Sequence, residues 1–349
     1  MCFETFLRMQ IKKHPSIKPQ DVVKMCYQAA FGAEHLLSDL DSAKSCLDKE
    51  YAKVVPTDGE LYEEISDTVC RVNLSVWKAS NLPLQWLYRM FVRSCKLEQD
   101  GKEKFSEYLE DAERCLDEMG FGKDEWDRYI AEYKKNGMPP VSHSKYYKEN
   151  ESPAYRVVDS TFCKILPILK KAKEYLNDNK PCIIAIDGRA ASGKTTLANC
   201  LKSVLDSDVI SMDDFFLPPI LQTEERLNEI GGNIHYERFS NEVIPFLFEK
   251  KPFSYRFFDC SIMDFAGMRE IRDKQFRIVE GSYSHHPKFG KYATITIFCD
   301  VMPEKQIDRI RKRNGEKMLK TFISKWIPME ERYFENFSIK DNSDFYIRM

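Results

Sequence analysis

The sequence has no two cysteines in C-x-x-C spacing, no long apolar run and almost no net charge, and each absence excludes something. The eleven cysteines stand singly, at 2, 26, 46, 70, 95, 115, 163, 182, 200, 260 and 299. An odd, evenly spread set without short ligand spacing argues against a disulfide frame or a zinc site, and for reduced thiols inside a cytosolic protein. No stretch nears the roughly 18 apolar residues of a membrane span, and the opening MCFETFLRMQIKKHP lacks the apolar block of a signal peptide. A cytoplasmic location is therefore expected. Lys and Arg number 53 against 55 Asp and Glu, a formal net charge of -2. That balance offers no general attraction for nucleic acid.

What the chain does have is length and apolar content for two ordinary cores, with 349 residues of which 43% are hydrophobic. Strand signals are scarce through the first half, and helical periodicity recurs at residues 21–31, 34–51, 61–72, 84–97, 102–119 and 123–135. An all-α domain over 1–153 is expected. Breakers then gather in Asn136-Gly137-Met138-Pro139-Pro140 and a polar run up to Pro153, which reads as a hinge or loop. One further helix is expected over 157–177, within a connecting segment at 154–180. Four polar clusters stand out here: Glu34 with His35, Arg71 with Asn73, His143 with Ser144, and Tyr155 with Arg156. They read first as caps and solvated faces, and second as a site of their own around His35 and His143.

The chemistry concentrates in CIIAIDGRAASGKTTL, residues 182–197. A short apolar run breaks into Gly188-Arg-Ala-Ala-Ser-Gly193-Lys194-Thr195, which satisfies G-x-x-x-x-G-K-[ST], the P-loop pattern. Glycines at both ends let the turn curl so that successive backbone N–H groups face a nucleotide's phosphates. The expected nucleotide contacts are Gly188, Ala191, Ser192, Gly193, Lys194, Thr195 and Thr196. Lys194 supplies a point charge to the outer phosphates, Thr195 offers its hydroxyl to Mg²⁺, and the helix that opens at Lys194 aims its positive end at the same anion. ATP and Mg²⁺ are the expected cofactors.

Beyond the loop, Asp208-Val-Ile-Ser-Met212 is a short strand ending in Asp213-Asp214. Neighbouring carboxylates at a strand end point to opposite sides, so one of them faces the cleft. Strands are also expected at 253–260, 276–279, ending at Glu280, 293–299 and 344–347. Strands interleaved with helices predict a doubly wound α/β domain over 181–349, whose ligand crevice lies at the carboxyl ends of the strands.

Together, IAIDGRAASGKTTLA, VISMDDFF, RIVEGSYS and the arginine-rich KQIDRIRKR resemble the uridine kinase and phosphoribulokinase group of P-loop kinases. The resemblance spans about residues 181–349 and leaves the helical half uncovered. It implies that Asp213 is the carboxylate facing the acceptor hydroxyl, that Glu280 serves Mg²⁺, and that Arg309 and Arg313, one helical turn apart, close a lid on the phosphates. Such kinases carry an Asp-His-Pro triplet after the second strand, where this chain reads Asn233-Ile234-His235-Tyr236-Glu237-Arg238. Pyrimidine recognition is therefore not carried over. Tyr236 to stack a ring, Arg238 to pair an acidic group and Asp214 are the residues expected to meet the acceptor. Neighbouring His285 and His286 diverge in direction and are not expected to bind metal.

The expected activity is phosphoryl transfer from ATP to a hydroxyl of a nucleoside-like or polyol small molecule. Lys194 and Asp213 are its catalytic residues. The helical half serves as a substrate cap, a homo-oligomer contact or a second activity. The alternative is a nucleotide-gated regulatory protein whose helical half binds a partner.

Overall fold

Cys182–Gly188 is buried along its whole length in the computed structural model, which describes residues 2–33, 39–95 and 101–349. A strand covered on both faces reads as a continuous apolar run, and a central place in a parallel sheet is what such a run permits. The chain divides into two units, Met1–Lys164 and Ile165–Met349.

The second unit has a five-stranded parallel sheet. Numbering strands along the whole chain, its members are β4 (Cys182–Gly188), β5 (Asp208–Ser211), β8 (Phe276–Glu280), β9 (Ile295–Asp300) and β10 (Phe345–Arg348), in the order β10-β9-β4-β8-β5. Between β5 and β8 the chain forms an antiparallel hairpin, β6 (Phe253–Asp259) and β7 (Asp264–Ile271). The register sets Glu280 of β8 beside Ile186 of β4 and beside Ser211 of β5. The doubly wound P-loop architecture expected over this half is present. One core on the sheet joins Ile183, Ala185, Ile210, Val279 and Phe298 to Phe215, Tyr236, Phe239, Tyr255 and Tyr333.

The first unit is mainly helical, as expected, but it also carries a small sheet. Its helices are α1 (Phe3–Lys13), α2 (Pro19–Phe31), α3 (Leu40–Lys53), α4 (Leu74–Ala79), α5 (Leu84–Ser94), α6 (Lys102–Glu118), α7 (Lys123–Lys135), α8 (Lys145–Glu151) and α9 (Ser160–Lys164). Strands β1 (Tyr62–Glu64), β2 (Val69–Asn73) and β3 (Tyr155–Asp159) pair antiparallel in the order β1-β2-β3. Two expected helices give way to this sheet. The 61–72 stretch contains two strands: Val69 and Val72 are β-branched, and Val69-Cys70-Arg71-Val72 is buried on both sides. The 157–177 stretch opens as β3, then breaks into α9 and α10 (Leu166–Ala172), with Asp159 Oδ1 accepting from Thr161 N at 2.9 Å to start α9. Nor is 136–153 a hinge between units: His143, Ser144 and Tyr147 are buried within the first. Glu34 and His35 lie outside the described residues.

The remaining helices, α11 (Lys194–Leu205), α12 (Glu224–Asn228), α13 (Tyr236–Glu242), α14 (Pro303–Thr321) and α15 (Ile327–Asn336), belong to the second unit. Among the described residues no helix is long and apolar enough to cross a membrane.

Candidate active site

The loop between β4 and α11 is held in a shape that only small residues allow. Gly188 has φ 135°, and a Cβ there would lie 2.0 Å from the Cys299 carbonyl oxygen. Gly193, at φ 97°, is the N-cap of α11. Both values fall in the left-handed region, where a side chain is strained. Lys194 Nζ folds back across the loop and donates to the Gly188 and Arg189 carbonyls at 2.7 and 2.9 Å. Two of the three ammonium donors are used in this way. Thr195 and Thr196 are exposed on the first turn of α11, Ser192 is buried and Ala191, at φ 55°, is partly covered.

Glu280 is the centre of the site. It ends β8, is 6% exposed, and faces the hydroxyls of Thr195 at 3.4–3.5 Å and Ser211 at 3.4 Å. Burial raises its pKa above the usual carboxylate range and the charge of Asp213 adds to this, while Lys194 opposes both. The carboxylate thus sits within electrostatic reach of a cation on one side and an acid on the other. Asp213 stands exposed on a single 3-10 turn, Met212–Phe215, directly after β5.

The adjacent Asp214 turns the other way. It is buried and accepts from the Tyr255 hydroxyl at 2.8 Å, with Arg269 Nε 3.5 Å away. Of the acid pair only Asp213 is open, as expected, although the pair lies on a 3-10 turn and not on the strand. The expectation that Asp214, Tyr236 and Arg238 meet the acceptor is corrected by their surroundings. Tyr236 is 4% exposed, donates to the Ile230 carbonyl at 2.8 Å, and has Arg226, Lys288 and His286 against its ring. Arg238 is 5% exposed, donates to the carbonyls of Asp214 and Arg256, and pairs with Glu242. All three are framework: the hairpin covers Asp214 and Arg238, and Arg226, Lys288 and His286 cover Tyr236.

The two arginines of α14 also part company. Arg309 is half-buried and donates to the Ala191 carbonyl of the loop at 3.1 Å. Arg313 is exposed and donates to Asn314 Oδ1. His285 and His286 face the carbonyls of Ala185 and Ile230.

Three residues unmarked by the local pattern hold the loop in place. Asp187, fully buried, accepts from Gly188 N, Tyr283 N, His285 N and the Tyr333 hydroxyl. Glu330 of α15 accepts from Ala190 N at 2.8 Å and from the Ser282 hydroxyl at 2.7 Å, and burial holds its pKa high. Arg189 pairs with Asp300 at 3.0 Å and Glu331 at 2.9 Å. Their only sequence signal is position: Asp187 and Arg189 flank Gly188.

No protein-family model matches the chain, and no curated protein matches it. Solved structures similar to it include a possible uridine kinase from Bacillus stearothermophilus, at 20% identity over 53% of this chain and 97% of the other, with a TM-score of 0.41. A putative fructose transport system kinase from Silicibacter sp. TM1040 covers 54% and 97% at 18% identity and a TM-score of 0.42. A D-glycerate 3-kinase from Cryptococcus neoformans var. grubii covers 49% and 86% at 14% identity and a TM-score of 0.34. Likenesses of this size carry no argument about function.

Proposed function

We propose that the second unit transfers a phosphoryl group from ATP to a hydroxyl of a small molecule, with Mg²⁺. The supporting observation is one cluster at the carboxyl ends of β4, β8 and β5, where Lys194, Thr195, Ser211, Asp213 and Glu280 surround the end of a glycine-formed loop. The cradle fits a phosphate chain, since its curl depends on glycines whose Cβ positions are closed. Hard oxygen donors suit Mg²⁺, and Thr195 Oγ1 with the Glu280 carboxylate would hold it. When bound, that ion neutralises charge on the phosphate oxygens.

The chain's own residues supply the rest. Loop amides and the N-terminus of α11 bind the phosphates. The Lys194 ammonium has one donor left for the transferring group. Asp213 accepts the proton of the attacking hydroxyl, and Arg309, tied to the loop, adds a cation beside it. Glu280 also draws Thr195 into position. From the sequence resemblance, the acceptor we infer is a nucleoside-like or polyol hydroxyl, and the location cytoplasmic.

Labelled ATP incubated with the full chain and a panel of nucleosides and polyols tests this reading. Label on one acceptor is the expected result. Slow hydrolysis alone, accelerated by a protein partner, would replace the kinase with a nucleotide-gated switch. Asp213→Asn should lower transfer by about 10²–10⁴-fold with ATP affinity held within about threefold, and undiminished turnover removes Asp213 from the reaction.

A further inference from the structure

The first unit contains a polar network built around Arg71 and Asp21. Arg71, on β2, is 4% exposed. Among the described residues it has no carboxylate at hydrogen-bonding distance. It donates to Gln28 Oε1 at 2.8 Å and Gln10 Oε1 at 3.5 Å, lies over the rings of Phe6 and Tyr155, and leaves Nε without a partner. Glu63 is joined to it through the Gln10 amide, whose Nε2 donates to Glu63 Oε1 at 2.6 Å.

The one fully buried acid nearby is already committed. Asp21 accepts from Lys18 N, Ser144 N, Ser144 Oγ and His143 Nδ1, all at 2.7–3.0 Å. With Nδ1–H donated to Asp21, His143 accepts at Nε2 from the Tyr155 hydroxyl at 2.6 Å. Arg71 fixes the Gln28 amide with its oxygen toward the guanidinium, and the Gln28 amide nitrogen lies 3.3 Å from the Tyr155 oxygen.

Lys24 stands three residues after Asp21 on α2 and is partly buried. Among the described residues its ammonium forms no ion pair or hydrogen bond. Burial draws its pKa down to about 8, with Arg71 and Lys148 pushing the same way and Asp21 opposing them. Lys24, Gln28, His143 and Tyr155 line one cavity of about 340 Å³. That volume suits a small metabolite. Its other cation, Arg156, is paired with Glu50 at 2.7 Å, and its lining acid, Asp39, caps α3 by accepting from Ser42 N at 2.8 Å.

Lys24 is partly buried, and a cation drawn out of water is normally paired with an anion. We infer that this cavity binds a small oxyanion, a carboxylate- or phosphate-bearing metabolite, with Lys24 as charge partner and the Gln28 amide as donor. Asp21 and His143 position the site by holding Tyr155 against Gln28. His143, Tyr155 and Arg156 line this cavity, and Arg71 reaches it through the Gln28 amide. The site does not depend on the phosphoryl-transfer reading and stands if that reading fails.

The test uses the full chain carrying Lys194→Ala, so that phosphate bound at the P-loop does not intrude. Inorganic phosphate and succinate are titrated separately by calorimetry in a chloride buffer. Saturable binding of at least one is expected below about 10 mM, weakened about tenfold or more by Lys24→Met and kept within about threefold by Lys24→Arg. The tighter anion identifies the ligand's charged group. Neither anion saturating, or Lys24→Met binding as tightly as its parent, overturns the proposal. A second readout needs no substitution at Lys24: acetylation of that amine by acetic anhydride, followed by mass spectrometry, should slow about fivefold or more under the better anion. An unchanged rate also overturns it.

Discussion

Asp21 and Glu280 are both buried carboxylates, one in each unit, and their surroundings treat them in opposite ways. Burial alone would raise the pKa of Asp21, yet His143, Ser144 and Lys18 together hold it below the usual range. Among the described residues Glu280 has only two hydroxyls, at 3.4–3.5 Å, so burial and Asp213 keep its pKa high. A saturated buried acid is architecture. An under-satisfied one beside a lysine and an open aspartate is a place built for something further to bind.

The largest effect is expected from Lys194→Ala, which should lower phosphoryl transfer by about 10³-fold or more in a labelled-ATP assay. Unfolding of the first unit should not change in that variant.

Next comes Asp21→Asn, which leaves four donors facing a neutral amide. It should destabilise the first unit by about 3 kcal/mol in urea unfolding, with ATP binding by the second unit unaltered. A loss below about 1 kcal/mol would mean that Asp21 is not the keystone described.

Acid should do part of the same work. Burial is the main reason that the His143 pKa falls from 6.5 to about 4. A depressed folded-state value stabilises the fold above the unfolded value and is lost as protons are forced on. The first unit should therefore lose about 2–3 kcal/mol as pH falls from about 6.5 to about 4, read as a drop in its denaturant midpoint. Asp21, also depressed, extends the loss in the same direction.

The smallest stability effect has the opposite sign. Glu280 is raised, so its contribution is present at low pH and declines as pH rises through its folded value. At neutral pH Glu280→Gln should leave the second unit equally stable or firmer by up to about 1 kcal/mol, while raising the Mg²⁺ concentration needed for turnover. Marked destabilisation would show Glu280 to be structural, like Asp21.

Much of the second unit was legible because its determinants are local. Apolar runs at β4, β8 and β9 are what fully covered parallel strands require, and Gly188 and Gly193 announce the only backbone shape the loop can take. The first unit was less legible. Strand β1 has three residues and β3 five, too short to separate from helix by periodicity, and they exist because β2 pairs with both. At the site, Asp213 and Asp214 are equivalent in the sequence. Tyr255 and Arg269, some 40 and 55 residues onward, select which of them is buried.

The residues alone dictate where a glycine-formed loop must curl, since left-handed backbone needs glycine whatever surrounds it. They also determine the strands on which that loop hangs. Only the tertiary structure decided which polar residues are left unsatisfied. Glu330 reaches Ala190 from 140 residues away, and Asp21 meets His143 from 122. Burial and partner count are properties of the packed chain, and they separate an acid that holds the fold from one that is free to work.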